Sequence, residues 1–501
     1  MKKFYITTTL PYVNAEPHIG FALEIIQADV IARYQRLIGN KVFFNTGTDE
    51  HGLKIYRKAK EEKIDIQKYV DRHAKKYDQL KSALNLSYNA FIRTTSQDHV
   101  AAAQEFWKHC DANGDIYKKN YKIKYCVGCE LEKTESELED GRCPIHYKLE
   151  LEIIEEENYF FKFSKYQDKL LNLYKKNSNF VVPKHRLSEV KNFVTQGLND
   201  FSISRLRNKL PWGIPVPNDP DHVMYVWFDA LINYISTLGW PKKGNFEEFW
   251  PGIQVAGKDN LRQQSAMWQA MLLSAGLPTT SQIFIHGFIN FRGSKISKSL
   301  GNTIDPFILV KKYGSEVVRY YLLRYIHPVE DSDFSIAKLE AAYQADLANG
   351  LGNLVSRVTG LIEQNSVSVK ISQNKVPSAP FASQQVRGDL ELNREVGAGK
   401  ISQDREFSKL IDGFLFDQAL KYIWDKIGKI DALISESKPW ELAKAGKTKE
   451  IKKILEKSAN TIYEISQLLK PFLPETAEKV EKIITAKKIR KAEPLFPRLE
   501  L

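Results

Sequence analysis

His18 and Gly20 stand where a short β-type run, Phe4 to Thr9, gives way to a helical run beginning near Ala22. A helix N-terminus at that point presents unpaired N–H groups and the positive end of a dipole to an anion. The imidazole adds a donor, and glycine lets a ligand come close to the backbone. Far downstream, Lys295-Ile296-Ser297-Lys298-Ser299 puts two lysines and two hydroxyls on a loop flanked by Gly293 and Gly301. That loop is suited to clamping a polyphosphate. A third group is Cys126-Val-Gly-Cys129, then thirteen residues, then Cys143-Pro-Ile-His146. Two such knuckles can wrap a zinc ion tetrahedrally with three thiolates and one imidazole. All four positions would be protein ligands, so the metal would be structural and not catalytic. A disulfide reading leaves an odd cysteine and needs an oxidising compartment. Cys110 lies outside the cluster and reads as an ordinary helix residue.

The elements that must carry these groups alternate. Strand Phe4–Thr9 is followed by a helix to Ile38 that stops at Gly39, then by a strand over Val42–Asn45 and the turn Gly47-Thr48-Asp49-Glu50-His51-Gly52. Further helices run to about Gly114. The alternation resumes with a strand over Val223–Trp227, a helix over Asp229–Leu238, a strand over Ile253–Ala256, a helix through Leu273 and a strand over Ile283–Gly287. This is the pattern of a parallel sheet with crossover helices, in which ligands lie at the carboxyl ends of the strands. The turns at Gly20, Gly47, Gly257 and Gly287 all fall there, around one crevice. Beyond about residue 335 the apolar repeats are helical, in Leu339–Leu361, Phe407–Ile427 and Ile451–Leu469. Between them, 363–404 is rich in Ser, Gln and Gly.

A chain of 501 residues is too long for one core and should divide into roughly two to four domains. Its hydrophobic content, 43%, is that of an ordinary globular enzyme. No apolar run is long enough to span a membrane. The N-terminus enters a strand at once, without the apolar stretch of a signal peptide, so a cytoplasmic location is expected. The formal charge of +12 favours a polyanionic partner. The excess is visible at Lys444, Lys447, Lys449, Lys452, Lys453 and Lys457, and again at Lys487, Lys488, Arg490 and Lys491.

The His18-Ile19-Gly20-Phe21 and Lys295–Ser299 stretches resemble the two signature motifs of class I aminoacyl-tRNA synthetases. Thr9-Leu10-Pro11-Tyr12-Val13-Asn14, Gly47–Gly52, Tyr225-Val226-Trp227-Phe228-Asp229-Ala230 and Gly257-Lys258-Asp259 narrow the resemblance to the methionyl-tRNA synthetases. So do the single knuckle pair, Glu157–Phe161, Pro474–Ala477 and Pro494–Pro497. The similarity extends over essentially the whole chain. It implies an α/β protein: a Rossmann-like parallel-sheet catalytic domain interrupted by a zinc-knuckle insert and followed by an α-helical anticodon-binding bundle. The expected division is 1–114 and 176–291 for the catalytic domain, 115–175 for the insert, 292–345 for the signature loop and stem-contact region, and 346–501 for the bundle.

The resemblance implies a two-step reaction. Methionine and ATP give methionyl-adenylate and pyrophosphate, and the methionyl group then passes to the 3′ end of a methionine tRNA. His18, Lys295 and Lys298 would be the catalytic groups, with Gly20, Phe21 and Ser297 joining them around ATP. Mg2+ would accompany the nucleotide, and a structural Zn2+ would occupy Cys126, Cys129, Cys143 and His146. Asp49 would accept the methionine ammonium. Leu10, Tyr12, Val226, Trp227, Ala230, Tyr234, Gln264 and Trp268 would line its side-chain pocket, where aromatic rings suit a thioether. Asn353, Arg357 and Trp440 would read the anticodon, the indole stacking on an unpaired base. A monomer without an obligate protein partner is expected. Loss of residues from about 346 onward should abolish tRNA charging and spare adenylate formation.

The chain departs from the family pattern at Phe21, where the first signature has histidine. It departs again at Asn260, Gln263 and Gln264, where an aliphatic residue, an aromatic and a histidine are common. Amides beside a thioether must be hydrogen-bonded or wet, because burying them unpaired is costly. Three other readings compete: a degenerate tRNA-binding relative, a synthetase with altered amino-acid selectivity such as cysteine, and a small-molecule nucleotidylyltransferase. The last would have no need of a basic helical C-terminal domain.

Overall fold

The computed structural model describes residues 1–129, 131–133, 137–242, 244–291, 294–295, 303–372 and 404–497. Its centre is a six-stranded parallel sheet. Strand β1 (Lys3–Thr8) lies between β2 (Lys41–Thr48) and the strand Ile253–Gly257. Beyond β2 lies Ala90–Arg93, and beyond Ile253–Gly257 lie Gln282–His286 and Val181–Val182. The chain therefore leaves β1 toward one side of the sheet and returns on the other. The reversal opens a crevice at the carboxyl ends of β1 and Ile253–Gly257, the usual ligand position in such sheets. Gly47 lets β2 approach its neighbour: a Cβ there would stand 1.8 Å from the Ile92 carbonyl oxygen.

Helix α1 (Ile19–Leu37) follows β1 and is buried nearly all round, including Glu24, Gln27, Asp29 and Arg33. A helix hidden on every side needs cover on both faces. One face meets the sheet, and the other meets the helix Ser315–Arg324. From there a continuous apolar cluster runs through Val317, Leu322, Leu347 and Val355 into the C-terminal helices at Phe407, Leu420, Ile462 and Leu473. These helices include Phe416–Ser437, Thr448–Leu469 and Pro474–Ile484. The sheet-bearing half and the C-terminal helices thus share one core, which argues against the expected independence of the first 345 residues.

The insert is a long antiparallel hairpin, Ile116–Cys126 with Glu152–Phe161, extended by Leu131–Lys133. Its sheet also takes in Phe201–Ser202, well beyond the knuckles in sequence. One sequence expectation is corrected here. Val223–Trp227 is not a strand throughout: the strand is Asp219–Met224, and a helix, Val226–Leu231, begins two residues later. Tyr225 N–H still donates to the Ile203 carbonyl at 2.8 Å, whereas Phe228 and Asp229 already donate back to Tyr225. The β-branched and aromatic composition suits a strand, but pairing with Ser204–Leu206 ends at Met224. Among the described residues, no helix is long and apolar enough to cross a membrane.

Candidate active site

The crevice at the sheet's reversal has a volume of about 1170 Å3 and is lined in part by Leu10, Tyr12, His18, Gly20, Phe21 and Glu24. His18 is the N-cap of α1, extended at φ −128°, and its Nδ1 accepts from the Gly20 N–H at 3.1 Å. That bond fixes the ring at the positive end of the helix dipole. A Cβ on Gly20 would stand 3.0 Å from the same ring, so a larger residue would crowd the imidazole. The Ile19 N–H donates to the Ile304 carbonyl at 2.9 Å, tying the helix start to the segment after the lysine loop. Phe21 is 8% exposed and packs edge-on against Tyr77, with centroids 5.5 Å apart. Lys295 lies in a two-residue strand paired with Ile289–Phe291. Ser297 and Lys298 lie outside the described residues.

Asp49 sits at the end of β2, 5% exposed, bridged to Tyr12. Its N–H donates to the Pro11 carbonyl at 3.0 Å, and its carbonyl accepts from Val13 at 3.2 Å. The neighbours in the turn hold it there. Glu50 is fully buried and takes two bonds from the Arg93 guanidinium, at 2.6 and 2.9 Å, with Thr48 and Thr95 hydroxyls adding more. His51 Nδ1 meets the Asp229 carboxylate at 3.1 Å, in full burial. Burial pushes the Asp229 carboxyl up, partly offset by His51.

The aromatic wall is divided. Tyr234 and Trp268 are buried, with ring centroids 5.9 Å apart, and Trp268 stacks on Phe106 at 5.7 Å. Gln264 Nε2 donates to the Tyr234 hydroxyl at 2.7 Å, and Tyr5 donates to the Tyr234 carbonyl at 2.8 Å. The amide that replaces a histidine is thus hydrogen-bonded through one end; its Oε1 is buried with no partner among the described residues. Asn260 donates to Asp259 at 3.3 Å. Val226 is buried, whereas Trp227 and Ala230 are partly open.

Sequence reasoning missed a pair on the crevice wall. Glu24 accepts from the Thr9 N–H at 2.8 Å and the Thr9 hydroxyl at 2.6 Å, and its other oxygen meets His286 Nε2 at 3.0 Å. Burial works against charge on His286, but Glu24 outweighs it and raises the imidazole pKa. The available signals were an acidic residue in the apolar first two turns of α1 and a histidine closing a strand before Gly287.

At the insert, Cys126, Cys129, Cys143 and His146 bring their ligand atoms within 4.8 Å of one another. Cys129 Sγ lies 3.5 Å from Cys143 Sγ and 3.2 Å from His146 Nδ1, and Cys126 Sγ lies 3.8 Å from that nitrogen. Zn–S bonds of about 2.3 Å at tetrahedral angles put sulfurs roughly 3.8 Å apart, so this set can hold such an ion. Gly128 leaves room for the imidazole, since a Cβ would stand 2.5 Å from it. His146 also borders the crevice.

On the bundle, the Arg357 guanidinium lies 5.7 Å from the centroid of the Trp440 ring, which is 40% exposed, and pairs with Asp431 at 3.0 Å. Asn353 is exposed one helical turn earlier on the helix Asn353–Gln364. The ten C-terminal cations from Lys444 to Lys491 singled out above are all exposed.

The model of one family, tRNA synthetases class I (M), matches residues 4–151 and 132–359. A methionine–tRNA ligase of Thermotoga maritima is 41% identical over 484 residues, covering 95% of this chain and 74% of that protein. One from Nostoc sp. is 40% identical, covering 96% and 89%. Among solved structures, Mycobacterium tuberculosis methionyl-tRNA synthetase in complex with methionyl-adenylate superposes with a TM-score of 0.87 at 34% identity, over 99% of this chain and all of that one. Its apo form gives 0.82 at 31% identity, over 100% and 99%.

Proposed function

The chain belongs to the methionyl-tRNA synthetases of class I, and from that premise we infer how its crevice works as the active site of a methionine–tRNA ligase. The enzyme joins methionine to ATP, releases pyrophosphate and passes the methionyl group to the 3′ end of methionine tRNA. The observation that carries the assignment of residues is the start of α1, where His18 and Gly20 open a helix N-terminus into the crevice, next to the Glu24–His286 pair.

In the first step the methionine carboxylate attacks the α-phosphorus of ATP, and pyrophosphate leaves. Little beyond positioning and charge stabilisation is required. His18 and the N–H groups of α1 hold phosphate oxygens, with Phe21 and Gly20 bounding the nucleotide. Lys295, Ser297 and Lys298 neutralise the charge that gathers on the pyrophosphate, whose Mg2+ arrives with ATP. Asp49 takes the methionine ammonium, held in place by Tyr12, Glu50 and His51. Leu10, Tyr12, Val226, Trp227, Ala230, Tyr234, Gln264 and Trp268 enclose the side chain. Trp268 acts from behind, by fixing Tyr234. In the second step a ribose hydroxyl of the terminal adenosine attacks the methionyl carbonyl, and AMP leaves. Asn353, Arg357 and Trp440 form the anticodon-reading face, with Trp440 offering an exposed ring and Arg357 backing it.

The Cys126/Cys129/Cys143/His146 cluster suits Zn2+ in a purely structural role, since all four ligands come from the protein. We place the protein in the cytoplasm as a monomer. The test is amino-acid-dependent exchange of labelled pyrophosphate into ATP, run with all twenty amino acids. Exchange with methionine alone is expected. Exchange with another amino acid would change the substrate, and none at all in folded protein that binds tRNA would overturn the catalytic reading.

A further inference from the structure

A second cavity, of about 320 Å3, borders helix α2 (Leu53–Glu61) on the face next to the one that lines the crevice. Leu53 and Arg57 of that helix face it, whereas Lys54 and Lys58 face the crevice. It also touches Val226, so it abuts the proposed methionine pocket through a shared wall. Its size lies at the lower end of the range for small-ligand sites, roughly 300–1,000 Å3.

The lining is chemically specific. The Arg205 guanidinium lies 4.3 Å from the Tyr225 ring centroid and 5.6 Å from that of Tyr125, making a flat, cationic and aromatic wall. Lys209 stands at the edge. Glu156, on the insert hairpin, also lines the cavity, with a side chain only 1% exposed. One of its oxygens accepts from Asn158 Nδ2 at 2.8 Å. The other, Oε2, is buried and takes no hydrogen bond from any described residue; the Lys209 ammonium is 3.5 Å away. A buried carboxylate oxygen without a donor is costly unless something supplies one.

We propose that this cavity takes the base of the penultimate nucleotide of the tRNA, the cytidine before the terminal adenosine, with Glu156 Oε2 accepting its exocyclic amine. The inference rests on the ligase reading. Transfer requires the terminal ribose at the methionine pocket, and the nucleotide before it must then lie beside that pocket. Single-stranded RNA ends are recognised by flat stacking groups and by contacts to base edges, and a glutamate is a natural acceptor for the cytosine N4 amine. Lys209 and Arg57, held in place by Glu156 at 3.5 Å and Glu152 at 2.9 Å, put positive charge beside the adjoining phosphate.

The test is single-turnover transfer from preformed methionyl-adenylate to tRNAs carrying cytidine or uridine at the penultimate position. Uridine presents an acceptor where cytidine has a donor, so the wild-type enzyme should transfer to it roughly 5- to 100-fold more slowly. Glu156→Gln can turn its amide NH2 toward the uracil oxygen, and should reduce or reverse that preference. Methionine-dependent pyrophosphate exchange should be unchanged, which separates this proposal from the assignment of the activity itself. Equal transfer to both tRNAs, or the same ratio in Glu156→Gln, overturns the proposal. Should the variant fail to fold, inhibition of wild-type charging by CpCpA and CpUpA decides: stronger inhibition by CpCpA supports it, and equal inhibition overturns it.

Discussion

The bundle and the knuckle end of the insert are both tied to the body built on the parallel sheet, and they are tied in opposite ways. At the bundle the join is buried and polar. Arg319, fully buried, donates to the Phe472 carbonyl at 2.8 Å, to Pro471 at 3.1 Å and to Leu84 at 3.2 Å, and pairs with Asp29 of α1 at 2.8 Å. Asp29 also takes Arg33 at 2.7 Å and the Ser87 N–H and hydroxyl at 2.7 and 2.6 Å. Nearby, Glu316 accepts from the Glu475 and Thr476 N–H groups at 2.7 and 2.9 Å. At the insert, the base of the hairpin is buried, with Ile116 and Phe161 in one core with Phe106 and Trp107, but the links from the body to the knuckle end lie nearer the surface. Lys54 donates to the Gly128 carbonyl at 3.3 Å, Arg57 grips Glu152 with both partners over 40% exposed, and Arg262 approaches Glu137 at 3.9 Å. Ile145 and Tyr147 on the knuckle are exposed, at 67% and 58%. A buried junction whose charges are paired makes two regions one folding unit, whereas surface ion pairs leave the knuckle end to hold itself together.

The largest consequence concerns truncation. Removing 346–501 would strip the cover from Val317 and Leu322, take Phe407 from Tyr34 of α1, and leave the Arg319 charge without its Phe472 and Pro471 partners. The first 345 residues alone should therefore fail to give a cooperative melt by circular dichroism, and should lose pyrophosphate exchange along with charging. A folded fragment that still exchanges pyrophosphate would restore the separable arrangement suggested by the sequence.

A point change at the same junction should act in the same direction with a smaller size. Arg319→Met leaves Asp29 buried with one guanidinium fewer, and breaking a buried pair costs about 3–5 kcal/mol. Urea denaturation would measure it, and a loss under about 1 kcal/mol would mean that the junction is not what holds the halves together.

What was legible in the sequence was local. The alternation of strand and helix, the histidine at the start of α1 and the spacing of Cys126, Cys129, Cys143 and His146 are each contained in a short window. Asp29–Arg319 and Glu24–His286 were not legible, because their partners lie 290 and 262 residues apart. In isolation Arg319 is an ordinary charge in Glu316-Val-Val-Arg-Tyr-Tyr. Val223–Trp227 went astray for a related reason. Its composition favours a strand, while the partner strand, which ends the ladder at Met224, is set by tertiary structure. The amides at Gln263 and Gln264 could be flagged as needing partners, but Tyr234 could not be named as one.

The junctions should also differ in acid. Burial raises the Asp29 pKa, but Arg33 and Arg319 more than offset it, leaving the carboxyl at about 2 against an ordinary 3.8. Its folded value is depressed, so its contribution is complete above pH 3.8 and fades as pH falls toward 2. It amounts to about 2 kcal/mol. Asp29→Asn should therefore flatten the acid limb of a stability–pH profile between those values, and an unchanged limb would remove Asp29 from the account. His99 adds a separate loss at higher pH, since burial drives its pKa down to about 3. Its unfolded form takes up a proton below about 6.5, so stability falls from there downward.

The smallest effect is expected at the insert. Arg57→Ala removes an exposed pair with Glu152, which is worth less than about 1 kcal/mol in global stability. Its signature should be local. Hydrogen exchange should rise at the knuckle end of the hairpin Ile116–Cys126 and Glu152–Phe161 while its base, α1 and the Ser315–Arg324 helix stay protected. Chelation of a bound metal should do the same to the knuckle, more strongly, because the four ligands close a loop with little core of its own. Either treatment loosening α1 as well would mean that the insert is bound into the body as firmly as the bundle, and the contrast between the two junctions would collapse.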